Sequence, residues 1–220
     1  MTDLNALRRL ALIGVLLAIV IGVPSTLAAL AASGGDFEAA LLFRWAFLGD
    51  MFYSYLLLVP LALFLHRRLR ERRPWLADLG LAGAFAYIFL GGAGAAILAT
   101  AGSSLVEAYA AAAPADRPAI ATSYELVRDI VYFALWQTLD GFTAGTWMFS
   151  VGWLLLADRP RVGRLLVPLG VAGWAFAVIT MLDVHSLAVL GAVLLLALAA
   201  WLAWVLIDRR RGQRVARPAA

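Results

Sequence analysis

Residues 45–73 read WAFLGDMFYSYLLLVPLALFLHRRLRERR. An almost unbroken apolar stretch, from Trp45 to Leu65, is followed at once by a cluster of arginines. A hydrocarbon core about 30 Å thick is crossed by roughly 20 apolar residues in a helix that rises about 1.5 Å per residue. The stretch therefore predicts a transmembrane helix with a basic loop at one end.

Five further stretches have a similar length and apolar character. The six predicted spans cover residues 10–32, 45–65, 79–102, 130–156, 165–182 and 187–207. Hydrophobic residues make up 64% of the chain and charged residues 15%, which is more apolar surface than one soluble core of 220 residues can bury. We therefore predict an all-α integral membrane bundle of six transmembrane helices, forming a single domain.

The longest predicted connection, residues 103–129, lies on the outer side. Its alanine-rich beginning predicts a short surface helix, Pro114 and Pro118 predict a break, and the segment from Tyr124 predicts a lead into the fourth span. It is interpreted either as a lid over an outward-facing pocket or as a plain connector.

The arginines predict the orientation, because basic residues concentrate in the cytoplasmic loops of membrane proteins. Six spans leave only Arg44, Arg117 and Arg128 on one side. The arginines on the other side are Arg8, Arg9, Arg67, Arg68, Arg70, Arg72, Arg73, Arg159, Arg161, Arg164, Arg209, Arg210, Arg211, Arg214 and Arg217. We therefore predict cytoplasmic N- and C-termini in a multi-pass protein.

A cleaved signal peptide is the alternative for the first span. Arg8 and Arg9, the apolar stretch after them and the small residues at 29–31 resemble the three regions of such a peptide. Cleavage would leave five spans without moving any loop to the other side. The first apolar run is longer than a typical signal core, which favours a retained span.

Missing residue types exclude several kinds of chemistry. The chain has no cysteine, which excludes disulfides, thiol catalysis and thiolate metal sites, and no lysine, which excludes a Schiff base. Its two histidines are too few for a three-histidine zinc site. The basic residues lie between apolar runs rather than on one face, so we predict no nucleic acid partner. We predict no cofactor and no metal site.

Two acidic residues, Asp50 and Asp140, lie inside predicted spans. An aspartate at the centre of a transmembrane helix costs about 2.5 to 3.5 kcal/mol on insertion scales, so such residues face the bundle interior. Helical spacing places Tyr53 and Ser54 on the face of Asp50, and Gln137 one turn before Asp140. The candidate ligand-binding pocket comprises Arg44, Asp50, Tyr53, Arg128, Gln137 and Asp140.

These residues support two interpretations. The functional one is an outward-opening polar pocket that binds or passes a small or amphiphilic molecule, such as a lipid, or relays a proton. The structural one is that Arg44 or Arg128 pairs with one of the buried acids and fixes the register of the helices. We favour a non-enzymatic binding protein as the working hypothesis.

Two other classes of protein stay open. An intramembrane hydrolase would use Asp183 and His185, in the turn between spans five and six, as weak catalytic candidates. Neighbours in a turn do not make a triad, and one histidine beside one carboxylate does not define a metal site.

A structural or regulatory partner subunit would instead use glycine seams. Gly141 and Gly145 form a G-x-x-x-G step that predicts close helix packing inside the bundle or, alternatively, a homodimer.

Two segments resemble a known family. Residues 41–70, LLFRWAFLGDMFYSYLLLVPLALFLHRRLR, and residues 145–174, GTWMFSVGWLLLADRPRVGRLLVPLGVAGW, are similar to the bacterial membrane family catalogued as domain of unknown function 4386. The likeness rests on a Phe-Arg pair at Phe43 and Arg44, with Asp50 further into the span. It implies six spans and a bacterial inner membrane location, and it implies no activity.

Overall fold

The described chain consists of five long helices. The computed structural model describes residues 4–32 and 40–181, and no strand occurs among them. The first long helix comprises α1 (Leu4–Leu17), a π-helical segment (Ala18–Gly22) and α2 (Val23–Ala32). The second comprises α3 (Ala40–Gly49), a π-helical segment (Asp50–Tyr55), a short 3-10 turn (Leu56–Leu58) and α4 (Val59–Leu69). The third comprises α5 (Pro74–Ile97), a π-helical segment (Leu98–Gly102) and α6 (Ser103–Ala111). The fourth comprises α7 (Arg117–Asp129), a π-helical segment (Ile130–Leu139) and α8 (Asp140–Leu155). The fifth is α9 (Pro160–Met181).

Four helical stretches within the described residues are long and apolar enough to cross a membrane. They are Leu4–Ala28, Phe43–Leu69, Pro74–Ala111 and Pro160–Met181. The second and third contain the second and third predicted spans, and the other two overlap most of the first and fifth. The fourth long helix contains the fourth predicted span, but polar side chains such as Gln137 and Asp140 lower its apolar character and it is not among the four. The sixth predicted span lies outside the described residues.

The connection between the third and fourth long helices, here called the outer hairpin after its predicted side, is helical rather than irregular. The third long helix continues through α6 as far as Ala111, and the fourth begins with α7 at Arg117, so only residues 112–116 form the break. The alanine-rich segment is thus the end of the third long helix rather than a separate surface helix, and Pro114 lies in the break whereas Pro118 lies in the first turn of α7. The hairpin folds back on the second long helix, where the ring of Tyr124 contacts that of Phe43 at a centroid distance of 6.0 Å.

The arginine-rich connections meet at one end of the bundle. Arg72, which follows the second long helix, forms an ion pair with Asp158 and donates a hydrogen bond to the Leu154 carbonyl oxygen at 3.1 Å. Arg44 lies near the start of the same helix and therefore at the opposite end, where it pairs with Glu107 at 3.0 Å. Two connections predicted to share a side of the membrane thus lie together.

The glycine seam of α8 is filled by α9 of the same chain. A Cβ atom added at Gly145 would come within 2.7 Å of the Gly170 carbonyl oxygen, and one at Gly141 would lie 3.0 Å from the Ala177 Cβ. Small residues thus let the two backbones approach closely, as is usual for helices in lipid. Packing inside the bundle, the first of the two uses predicted for this seam, is observed. A second copy of the chain would have to displace α9 to use the same surface.

Candidate intramembrane site

The candidate site is a layer of polar side chains between two apolar clusters. Phe47 and Trp136 belong to the cluster near the outer hairpin, whereas Tyr55 and Ala144 belong to the cluster nearer the arginine-rich end. Asp50 and Asp140 lie between these positions on their helices. We call the group the polar layer and define it as Thr26, Asp50, Ser54, Gln137 and Asp140 with the phenol groups of Tyr55 and Tyr87.

Asp50 is buried against the first long helix, with only 2% of its surface exposed. The Thr26 hydroxyl donates a hydrogen bond to its carboxylate, and the Thr26 Oγ1 lies 3.2 Å from the Ser54 Oγ. Gly22 allows this approach, because a Cβ atom there would come within 2.9 Å of the Ser54 Oγ. The partners of Asp50 are therefore neutral hydroxyl groups.

Asp140 is more deeply buried, with 1% of its surface exposed. The phenol group of Tyr55 lies beside its carboxyl group, and its Oδ1 atom has no hydrogen-bond partner among the described residues. Tyr87 lies beside this pair: its ring centroid is 5.3 Å from that of Tyr55, and it also interacts with Asp140. A buried carboxylate oxygen without a partner is costly, so it marks a place where a ligand or proton would be stabilised.

The third long helix sets the register that brings Tyr87 opposite Asp140. One turn before Tyr87, a Cβ atom at Gly83 would lie 3.0 Å from the Trp147 backbone nitrogen. One turn after it, the Trp136 indole N–H donates a hydrogen bond to the Gly91 carbonyl oxygen at 3.1 Å. The two helices run antiparallel, so Tyr87, which lies between these two contacts, faces the part of the fourth long helix between Trp136 and Trp147. Asp140 lies in that part.

Both acids lie at the edge of a π-helical segment. Asp50 begins the segment Asp50–Tyr55, and Asp140 directly follows the segment Ile130–Leu139. A π-helix closes its hydrogen bonds between residues i and i+5, and such segments occur frequently at functional sites. The wider turn brings Tyr55 onto the side of Asp50, whereas ordinary α-helical spacing would turn it away.

The arginines of the predicted pocket have other partners. Arg44 pairs with Glu107 and keeps 40% of its side chain exposed, and Arg128 pairs with its neighbour Asp129 at 2.9 Å. Within the described residues, neither buried acid has an arginine as a partner in an ion pair. These contacts therefore do not support the interpretation that Arg44 or Arg128 pairs with Asp50 or Asp140 and fixes the helix register.

The remaining predicted residues are distributed as follows. Gln137 is buried in the polar layer, where its Oε1 atom lies 3.5 Å from the hydroxyl group of Thr180, at the long limit of a hydrogen bond. Tyr53 is half-buried and is not a member of the polar layer. Asp183 and His185 lie outside the described residues. The structure thus brings together three of the six predicted pocket residues: Asp50, Gln137 and Asp140.

Sequence reasoning missed three members of the polar layer: Thr26, Tyr55 and Tyr87. Each is a polar side chain inside an otherwise apolar span, and such residues usually face a partner within the bundle. That signal was available for Thr26 and Tyr87. Tyr55 could not be assigned in this way, because its orientation depends on a π-helical segment that residue spacing does not reveal.

Fold and site together indicate a membrane protein: the described chain is helical, and four of its helical stretches are long and apolar enough to span a bilayer. Comparison with known proteins finds no matching family model, curated protein or solved structure. The resemblance of residues 41–70 and 145–174 to the family of unknown function therefore stays a prediction.

Proposed function

We propose that this protein binds, or passes across the membrane, a small molecule at an intramembrane site formed by Asp50 and Asp140. The observation that carries the proposal is that both carboxylates are buried, yet their partners among the described residues are hydroxyl groups rather than arginines. Acidic groups in a membrane interior are expensive and mark ligand or ion pathways. A proton or a bound ligand of opposite charge would stabilise such an acid.

Retention of a ligand tests this proposal. Native mass spectrometry of the protein, purified in mild detergent, is expected to show a small molecule retained by the wild type. Asp140→Asn and Asp50→Asn are expected to lose it, because each removes a charge from the site. Asp129→Asn is the matched control, since Asp129 is a half-exposed acid that already pairs with Arg128, and it should retain the molecule.

The ligand-retention result has a clear contrary outcome. If the wild type retains nothing, and if no member of a metabolite panel changes its thermal stability, the proposed site has no ligand. If all three variants retain the molecule equally, it binds elsewhere on the protein. Either result would sink the proposed function.

We further propose the full six-span topology, with both termini in the cytoplasm of a bacterial cell. The pairing of Arg72 with Asp158 supports it, because it joins two arginine-rich connections that six spans place on the same side. The sorting of arginines to that end then makes it the cytoplasmic one.

Single-cysteine labelling tests this topology, and the natural chain contains no cysteine that would interfere. Glu71→Cys, Ala157→Cys and Ala115→Cys place the thiol at exposed positions, two at the arginine-rich end and one in the outer hairpin. A membrane-impermeant maleimide is expected to label position 115 in intact cells and positions 71 and 157 only after permeabilisation. Labelling of positions 71 and 157 from opposite sides would contradict the six-span order.

A further inference from the structure

We propose that the ligand of the polar layer is an organic cation, specifically a molecule with a primary ammonium group that binds at the Oδ1 atom of Asp140. This inference rests on the proposed function and names the chemical class of the ligand. It follows from three features of the layer: its charge, the free carboxylate oxygen and the aromatic rings around it.

The charge of the polar layer is the first feature. The layer contains two carboxyl groups, Asp50 and Asp140, and its other described members are hydroxyl, phenol and amide groups without charge. The nearest described arginines of the outer end, Arg44 and Arg128, are engaged with Glu107 and Asp129. An anionic ligand would therefore meet only like charge, whereas a cation would supply the missing opposite charge.

The free oxygen of Asp140 is the second feature, and it distinguishes the two acids. The carboxylate of Asp50 already accepts a hydrogen bond from Thr26, with Ser54 close by. The Oδ1 atom of Asp140 is buried and has no hydrogen-bond partner within the described residues. An ammonium N–H donor would make a charge-assisted hydrogen bond there, which is stronger than a bond between neutral groups. Asp140 is thus the primary anchor, and Asp50 contributes a second negative charge nearby.

The surrounding rings are the third feature and favour an organic ammonium over a metal ion. Tyr87 lies between Tyr55 and Trp147, with ring centroids 5.3 Å and 6.2 Å apart respectively. Aromatic faces attract organic cations, and aromatic cages are used to recognise ammonium groups. Hard metal ions such as calcium instead require six or more oxygen ligands. No group of three or more His, Asp or Glu side chains among the described residues is placed to hold a metal ion.

Paired ligands that differ only in charge test this inference. We would titrate purified full-length protein in detergent with ethylammonium, hexylammonium and phenethylammonium, and with the alcohol of the same skeleton for each, by isothermal titration calorimetry. At least one ammonium ion is expected to bind saturably and about tenfold or more tightly than its alcohol, because only the cation pairs with Asp140. Asp140→Asn should remove that preference, whereas Asp129→Asn, at a half-exposed acid, should preserve it.

The outcomes separate this inference from the proposed function. If no ammonium ion binds more tightly than its alcohol, the cation class is wrong, and this comparison uses the wild type alone and so does not depend on any variant folding. If native mass spectrometry shows a neutral or anionic molecule that Asp140→Asn loses, the cation class is overturned while the binding site stands. Equal saturable binding of sodium ions would overturn the organic cation in favour of a metal ion. No retained molecule and no ammonium binding would overturn both.

Discussion

Replacing Gly91 with alanine is expected to destabilise the protein by about 3 kcal/mol, at the upper end of the usual cost of overpacking. A Cβ atom at this position would overlap the ring of Tyr55, which is buried and contacts Tyr87. The ring is buried and packed against Tyr87, so it has no free space into which to move aside. The free energy of unfolding, measured by titration with SDS in mixed micelles, checks the expected loss.

The neighbouring glycine provides the control for this substitution. A Cβ atom at Gly92 would lie 3.8 Å from the Met51 Cγ, which is an ordinary van der Waals contact. Gly92→Ala is therefore expected to be neutral or slightly stabilising, since alanine favours a helix by up to about 1 kcal/mol over glycine. Equal losses at both positions would mean that the tyrosine ring does not pack against Gly91 as described.

The membrane architecture was largely predictable because it depends on features that a sequence displays directly. Apolar runs of bilayer length identify helices by their length alone, and five of the six predicted spans coincide with observed long helices to within one residue at each end that the prediction oversteps. The bounds were less accurate. The third and fourth long helices extend beyond the predicted span ends into α6 and α7, because their outer turns pack on Phe43 through buried side chains such as Tyr124. Length and hydropathy do not reveal such tertiary support.

The polar layer was predictable only in part, for a similar reason. The cost of placing Asp50 and Asp140 in an apolar helix shows that both must face inward, and both are buried. Their partners depend on which helices adjoin and at what register. Thr26 reaches Asp50 from another helix, and Tyr55 reaches Asp140 because a local π-helical segment rotates it inward. Helix spacing with 3.6 residues per turn cannot predict either contact.

Replacing Asp140 and Tyr55 together with Leu and Phe is expected to stabilise the protein, by about 1 to 4 kcal/mol. The reason lies in the balance of two costs. An aspartate in a transmembrane helix costs about 2.5 to 3.5 kcal/mol, whereas a leucine is slightly favourable. Removing the hydroxyl of Tyr55 at the same time avoids leaving that buried polar group beside a leucine. Unfolding in SDS mixed micelles measures the gain.

The single variant Tyr55→Phe gives the opposite sign and completes the comparison. It keeps the buried carboxyl group of Asp140 but removes the phenol hydroxyl beside it, so the protein is expected to lose about 1 to 3 kcal/mol of stability. A double variant that is more stable than the wild type but no longer binds ligand would show that the acid is kept for function at the expense of stability. If the double variant is instead less stable than Tyr55→Phe alone, Asp140 holds the bundle together, and the case for a ligand in the polar layer loses its physical basis.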